Sequence, residues 1–432
     1  MAAFQIGENV TSWFEFYWTT PQQDFNATNQ STTVSTVSYL PWNNPQNIIS
    51  KKTADSITDS LQCYVLPILT VIGILGNICS LIVLFQKKLR TSTTTMILIG
   101  LAFSDTCFLA TNMVRKSSCI ISHYDKLLSE IVSNTTFYYM HYLKTAFSRV
   151  STFLVVLISL ERVIAVGLPL KAKTLITKRR ILAGVIACYV IAFGGLAAYP
   201  PQYTYTFVGK RPFIAYTDFA KNNVESLKIY NDYFLPIGFR HIPVVIVFLL
   251  NTVIIVLVHR SNRFQKTASV QDSKRKDDQK KITRMLLTVD IVYLICLLPG
   301  DIFLRCSIEI PEFQYFRSQH NLFLAISDIT LLFEMINSCI NFVIYMVLNR
   351  NFYDTYMRLF CCYLPYIRTI VRRRPQSDTE ASMKTKETVS SRILRENSKD
   401  GASESSASEQ HWGDKNGHDN LTYRTEGPIV EP

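Results

Sequence analysis

Residues 61–85 read LQCYVLPILTVIGILGNICSLIVLF, a stretch without a single charged side chain. At about 1.5 Å of rise per residue, a helix over it reaches about 38 Å, more than the roughly 30 Å hydrocarbon core of a bilayer. Such a segment must satisfy its backbone polar groups internally, so it is predicted to be a membrane-crossing α-helix. Six further apolar blocks follow, at 96–114, 137–166, 181–199, 233–258, 282–305 and 321–347; the second, third and seventh carry internal charges. Composition agrees: of 432 residues, 48% are hydrophobic and only 18% charged, where a soluble domain carries about 25%. The expected fold class is an all-α membrane protein, a seven-transmembrane helix bundle.

Net charge is +12, and its placement decides its meaning. Lys87, Lys88 and Arg90 follow span one, and Lys171, Lys173, Lys178, Arg179 and Arg180 follow span three. Arg260, Arg263, Lys266, Lys274, Arg275, Lys276, Lys280 and Lys281 lie between spans five and six. The alternate loops are nearly balanced, with Asp125, Lys126 and Glu130 in one and Glu309, Glu312 and Arg317 in another. Basic loops stay in the cytosol, so the N-terminus is expected outside and the C-terminus inside, in the plasma membrane. The charge then reads as a topology signal and a contact with the anionic lipid bilayer, and no nucleic-acid partner is expected. Sequons at Asn9, Asn26, Asn29 and Asn134 fall on the predicted outer side as glycosylation sites.

Three regions follow: an extracellular glycosylated tail over 1–60, the membrane domain over 61–363, and a disordered cytoplasmic tail over 364–432. The opening MAAFQIGENVTSWFEF lacks a basic start and an apolar run, so no cleaved leader is expected. The 10 cysteines are too sparse for a disulfide scaffold and lack zinc-site spacing. Cys63, Cys119 and Cys306 lie near outer span ends as candidates for a bridge, with the pairing left open.

A charge at the bilayer centre costs about 2.5–3.5 kcal/mol on insertion scales, so such a residue calls for a partner or a task. Asp105 sits mid-span in LIGLAFSDTCFLA. Ser151 in span three and Asn337, Ser338 and Asn341 in span seven are its candidate partners, an oxygen-only set that suits a hard cation. Glu161-Arg162-Val163 closes span three, with Pro169 seven residues beyond the arginine. Further landmarks keep the same order: Gly76-Asn77, Leu101-Ala102, Pro243, CLLP ending at Pro299, and NFVIY over 341–345. After them NRNFYDTYMRLFCC reads as a short amphipathic helix on the inner membrane face. Phe352, Tyr356, Leu359 and Phe360 form its apolar side, and Cys361 and Cys362 are candidate palmitoylation sites.

In this order the landmarks resemble the rhodopsin-like (class A) G-protein-coupled receptors. The resemblance implies that Arg162 is held by Glu161 at rest and swings toward a heterotrimeric G protein when span six moves outward, with Asn341 and Tyr345 in the same switch. It also implies sodium, as an allosteric ion at Asp105, Ser151, Asn337, Ser338 and Asn341, favouring the inactive arrangement. Departures are visible. Phe137 stands where the family has its outer cysteine, and residues 200–232 contain none to pair with it. Val163, Asn251, Tyr293, Leu297 and Phe342 replace residues usual in the family, and Tyr189 takes the usual tryptophan position of span four.

Lys144 occupies the place where amine receptors carry an aspartate, and residues 321–347 hold no lysine for a retinal Schiff base. The outer half is otherwise rich in charge, with Arg115, Lys116, Lys144, Arg149, Arg240 and Arg305 against Asp301, Asp328 and Glu334. One reading is internal neutralisation, for example of Glu334 by Lys144 or Arg149, because unpaired buried charges are expensive. The other makes Lys144, Arg149, Arg240, Asp301 and Glu334 ligand-binding: a basic, amide-bearing peptide suits Asp301 and Glu334, and a carboxylate suits Lys144 and Arg149.

The overall pattern resembles invertebrate neuropeptide receptors of the FMRFamide-receptor-like group. An extracellular peptide ligand is therefore expected, with a chemosensory receptor for small water-borne molecules as the alternative. The basic third inner loop is expected to meet the G protein. Ser403, Ser405, Ser406 and Ser408 offer sites for receptor kinases and, once phosphorylated, for arrestin. A transporter is disfavoured by the lack of repeated halves. No motif of an enzyme appears, so no catalytic residue and no cofactor are expected.

Overall fold

A computed structural model describes residues 39–87, 89–90, 92–208, 211–264 and 270–361. Asn9, Asn26, Asn29, Cys362 and the expected tail over 364–432 lie outside the described residues. Seven helices within them are long and apolar enough to cross a bilayer: Lys51–Leu84, Thr93–Ser122, Tyr139–Gly167, Lys178–Gln202, Val224–Arg260, Lys281–Glu309 and His320–Leu348, here spans one to seven.

The helices outrun their apolar centres. Span two continues past residue 114 to Ser122, and the helix of span three begins at Lys126, where Asp125 accepts a hydrogen bond from the Leu128 backbone N–H at 3.1 Å. Span one starts at Lys51, capped by Ser50, which accepts from Thr53 N–H at 3.1 Å. The boundary expected at residue 60 therefore moves: Lys51–Asp59 is helix, polar enough to escape a hydropathy reading yet capped and packed against span seven.

Three wide helical turns share one cause. The π turns Ser60–Val65, Tyr230–Phe234 and Ile237–His241 each end two residues before a proline, Pro67, Pro236 and Pro243 respectively. Proline has no N–H for the carbonyl four residues back, and widening the turn lets other donors reach the carbonyls in that stretch. Pro299 instead stays inside the continuous helix Val270–Glu309.

Lipid-side residues such as Ile68, Ile72 and Leu75 are exposed, whereas Leu98, Leu101, Val150, Leu154, Ile158, Leu286 and Val289 are buried at the bundle centre. Both faces are apolar, so hydrophobicity alone does not orient these helices; polar groups do. Asn77 donates to the Ser338 carbonyl at 2.9 Å, tying span one to span seven, and Tyr189 donates to the Gly100 carbonyl at 2.9 Å, tying span four to span two.

Between spans four and five, strands β1 (Tyr203–Val208) and β2 (Arg211–Tyr216) form an antiparallel hairpin with Tyr203 opposite Tyr216. Burial pushes the Tyr203 phenol up to about 12, so it stays neutral. Residues 42–49 lie on the outer end of span seven. There Asn321 donates from Nδ2 to the carbonyls of Trp42 and Ile49, each at 3.1 Å, and its backbone N–H donates to Asn47 Oδ1 at 3.0 Å. A Cys63–Cys119 disulfide, Cα atoms 5.5 Å apart, joins spans one and two, while Cys306 is free.

Candidate functional site

Asp105 is fully buried in mid-bundle and accepts from three side chains on two other helices. Ser151 of span three and Ser338 of span seven donate to Oδ1 at 2.8 and 3.2 Å, and Asn341 Nδ2 donates to Oδ2 at 2.9 Å. Ser104 hydrogen-bonds Ser151 in turn. Asn337 makes no direct bond to the carboxylate among the described residues. It lines a small adjoining cavity together with Ser148, Ser151, Thr152, Tyr293 and Ser338.

At the inner end of span three, Arg162 Nη2 lies 2.9 Å from Glu161 Oε2. Thr93 and Thr94 of span two donate to Glu161 Oε1 at 2.8 and 2.9 Å, and the Arg162 guanidinium also donates to Thr94 Oγ1. Both side chains of the pair are buried, against the Thr93 and Thr94 hydroxyls. The Tyr345 hydroxyl is buried without a partner, and its ring packs edge-on against Phe352 at 5.5 Å. Phe352, fully buried, anchors the short helix Arg350–Tyr356 beneath the bundle, with Asn349 as its cap.

Asp290 was not singled out in the sequence. It is fully buried on span six and accepts from Ser159 of span three at 2.8 Å, while its other oxygen has no hydrogen-bond partner. Asn251 of span five faces it, and the charge of Arg162 acts on it. The signal was present: an acid inside MLLTVDIVYLICLLP carries the same insertion cost that drew attention to Asp105.

Nearer the start of spans three and seven, Glu334 of span seven is met by Lys144 Nζ at 3.4 Å and Arg240 Nη1 at 3.3 Å. Arg240 Nε also bonds Asp301 of span six, whose other oxygen is 3.9 Å from His241 Nδ1. Arg149 has no carboxylate within 4.0 Å among the described residues; its Nη1 donates only to the Phe239 carbonyl, at a long 3.5 Å. Internal neutralisation thus reaches Lys144, Arg240, Asp301 and Glu334, but by Arg240 where Arg149 was the expected alternative. A separate group joins Asp328 to Thr58 at 2.9 Å, Gln62 at 2.6 Å and Lys116 at 3.5 Å.

Among the expected modification sites, Asn134 lies within the helix of span three and its Nδ2 donates to the Pro212 carbonyl at 2.8 Å. That nitrogen is the atom a glycan would take, so glycosylation there requires giving up this bond. Cys361 ends the last helical turn, Met357–Cys361.

Residues 76–345 match the family model for the 7 transmembrane receptor (rhodopsin family). The chain is 24% identical over 371 residues to a probable G-protein coupled receptor of Caenorhabditis elegans, covering 80% of this chain and 81% of that one. It is 28% identical over 308 residues to the FMRFamide receptor of Drosophila melanogaster, covering 68% of this chain and 52% of that one. It is also 24% identical over 300 residues to neuropeptide Y receptor type 1 of Xenopus laevis, covering 65% and 75%.

Proposed function

The chain belongs to the rhodopsin family of seven-transmembrane receptors, a family of signalling proteins and not enzymes, and we propose that it binds a neuropeptide outside the cell and activates a heterotrimeric G protein within. One observation carries this reading. The helix of span three bears Lys144 and Arg149 toward the outer side, Ser151 against Asp105 in the middle, and Glu161-Arg162 at the inner end. A ligand that shifts this helix or its partners acts on all three levels through one rigid element. Peptide specificity is supported by relatives named for FMRFamide and neuropeptide Y, and by the charged outer network where amine receptors keep one acid.

In this reading the N-terminus is extracellular and the basic loops face the cytosol. Arg162 is released from Glu161 and Thr94 to meet the G protein, and Asn341 and Tyr345 rearrange beside it. The tail serines receive receptor kinases and then arrestin. The oxygens at Asp105 suit sodium: Asp105, Ser151, Asn337, Ser338 and Asn341 would hold it, and Asn77 Oδ1 nearby is buried without a partner. Bound there, the ion supplies positive charge that neutralises the carboxylate and holds the resting helices together.

The test is expression in cells carrying calcium and cyclic-AMP reporters, challenged with a neuropeptide library. A peptide response is expected, and it should vanish in Arg162→Ala at equal surface expression. Undiminished signalling by that variant rejects the assigned coupling role. Responses to small water-borne molecules with none to peptides reject the peptide reading.

A further inference from the structure

The outer network contains more positive charge than it answers. Around Glu334 and Asp301, two carboxylates face three basic side chains: Lys144, Arg240 and Arg149. Lys144 and Arg240 take both acids, and Arg149 is left with one long bond to a carbonyl. Arg149 is 6% exposed, and the charges of Arg240, Glu334 and Asp301 all act on it, although neither acid comes within ion-pair distance among the described residues. A buried guanidinium in that position is costly unless something negative joins it.

Hydrogen bonding points the same way, independently of charge. Among the described residues Arg240 Nη2 is buried with no acceptor, and the Tyr293 hydroxyl, beside Thr152, has none for its proton. Tyr293 is 1% exposed, feels the charges of both Arg149 and Arg240, and lines the cavity that also borders Glu334 and Thr152. Among the described residues, Arg240 Nη2 and the Tyr293 hydroxyl thus keep donors unused, and Arg149 has its one long bond to the Phe239 carbonyl. Buried donors in folded proteins are nearly always satisfied, and the acceptor that answers two arginines in a dry site is an anion, for which guanidinium offers paired, charge-assisted bonds.

We propose that the ligand inserts a carboxylate at Arg149, with Arg240 and Tyr293 completing its hydrogen bonds. This deepens the peptide-receptor reading and rests on it. The deepest part of the ligand is an acid, either a free C-terminus or an Asp or Glu side chain. A ligand whose deepest end is an amide leaves the excess charge unanswered, and Asp301 and Glu334 are already engaged and do not call for a basic group. The assignment separates Lys144 from Arg149: Lys144 belongs to the resident ion pairs, and Arg149 belongs to the ligand.

The experiment follows thermal unfolding of the purified full-length receptor in detergent at constant ionic strength. Three probes are compared: N-acetylglycine, N-acetylglycinamide and sodium chloride. N-acetylglycine is expected to raise Tm progressively with the logarithm of its concentration once that exceeds the dissociation constant, the amide to leave it unchanged, and Arg149→Gln to lose the rise. Because Arg149→Gln removes an unanswered charge, its Tm without probe should equal or exceed that of the parent, so misfolding does not explain the loss. Equal responses to acid and amide, no response to either, or a rise that survives Arg149→Gln overturns the proposal. A rise produced equally by chloride and lost in Arg149→Gln assigns the site to an inorganic anion and also overturns it. Neither agonist nor G protein enters this measurement, so its failure is distinct from failure to signal in the reporter cells.

Discussion

Arg240 of span five reaches Glu334 of span seven at 3.3 Å, and it does so across Gly300 of span six. A Cβ at residue 300 would stand against Arg240 Nη2. The Gly300-Asp301 pair thus combines a gap for a guanidinium with the acid that receives it. Gly300→Ala should displace Arg240 at a packing cost of about 1–3 kcal/mol, which corresponds to a loss of agonist potency of roughly 5- to 150-fold. The check is a double-mutant cycle: in an Arg240→Ala background the Gly300→Ala substitution should have almost no further effect. Additive losses would show that the glycine matters for some other reason.

Glu161 accepts from two donors, Thr93 and Thr94, and pairs with the charge of Arg162, and Thr94 also accepts from the arginine. Thr94→Val keeps the shape and removes both bonds to charged groups, each worth about 1.5–3 kcal/mol. If the pair restrains the resting state, ligand-free signalling should rise about threefold or more, at matched surface expression. Basal signalling equal to the parent would mean that Thr94 only packs.

Sodium at Asp105 makes a separate claim. Raising sodium against a potassium background should lower agonist affinity in the parent by a factor within the usual allosteric range of about 5- to 150-fold. Asp105→Asn keeps a hydrogen-bonding side chain but loses the charge, so its agonist affinity should ignore sodium. Radioligand or reporter titrations at fixed ionic strength decide this, and persistent sodium dependence in the variant rules the site out.

Much of this arrangement could be read from spacing. Asp105, Ser151, Ser338 and Asn341 converge because each sits in an apolar block where a polar side chain has no water to bind, so each must find the others. The same logic would have found Asp290. Pairings in the outer half could not be read, because Lys144, Arg149 and Arg240 compete for Glu334 and the winner depends on distances between helices; Gly300 decides it for Arg240. The helix over Lys51–Asp59 escaped for another reason, since its polar residues carry no apolar run and its order comes from contacts with span seven.

The disulfide shows the same limit. Three outer cysteines were in view, and only proximity selects Cys63 with Cys119, leaving Cys306 free. Cross-links of this kind are worth about 2–4 kcal/mol, and here the tie fixes the start of span one beside span two, next to the Asp328 cluster. Cys63→Ser and Cys119→Ser should each lower surface expression, and the double variant should be no worse than either alone. Cys306→Ser should behave as the parent. Flow cytometry of surface-labelled receptor separates these outcomes, and a strong defect from Cys306→Ser would contradict the pairing.

Asp290 offers the sharpest test of how a buried acid is tolerated in this bundle. Its carboxylate accepts from Ser159 at 2.8 Å, and the Asn251 side chain also faces it. Asp290→Asn retains an oxygen for Ser159 and removes a charge whose burial is expensive, so the variant should be as stable as the parent or more stable, by up to about 4 kcal/mol. Ser159→Ala takes away one donor and leaves the charge, a loss of about 1.5–3 kcal/mol. In detergent the two substitutions should therefore move Tm in opposite directions, the first upward or not at all and the second down by several degrees. A fall in Tm for Asp290→Asn would mean that the negative charge itself stabilises the resting bundle. Arg162, the cation acting on it across the span three–span six contact, would then be its partner.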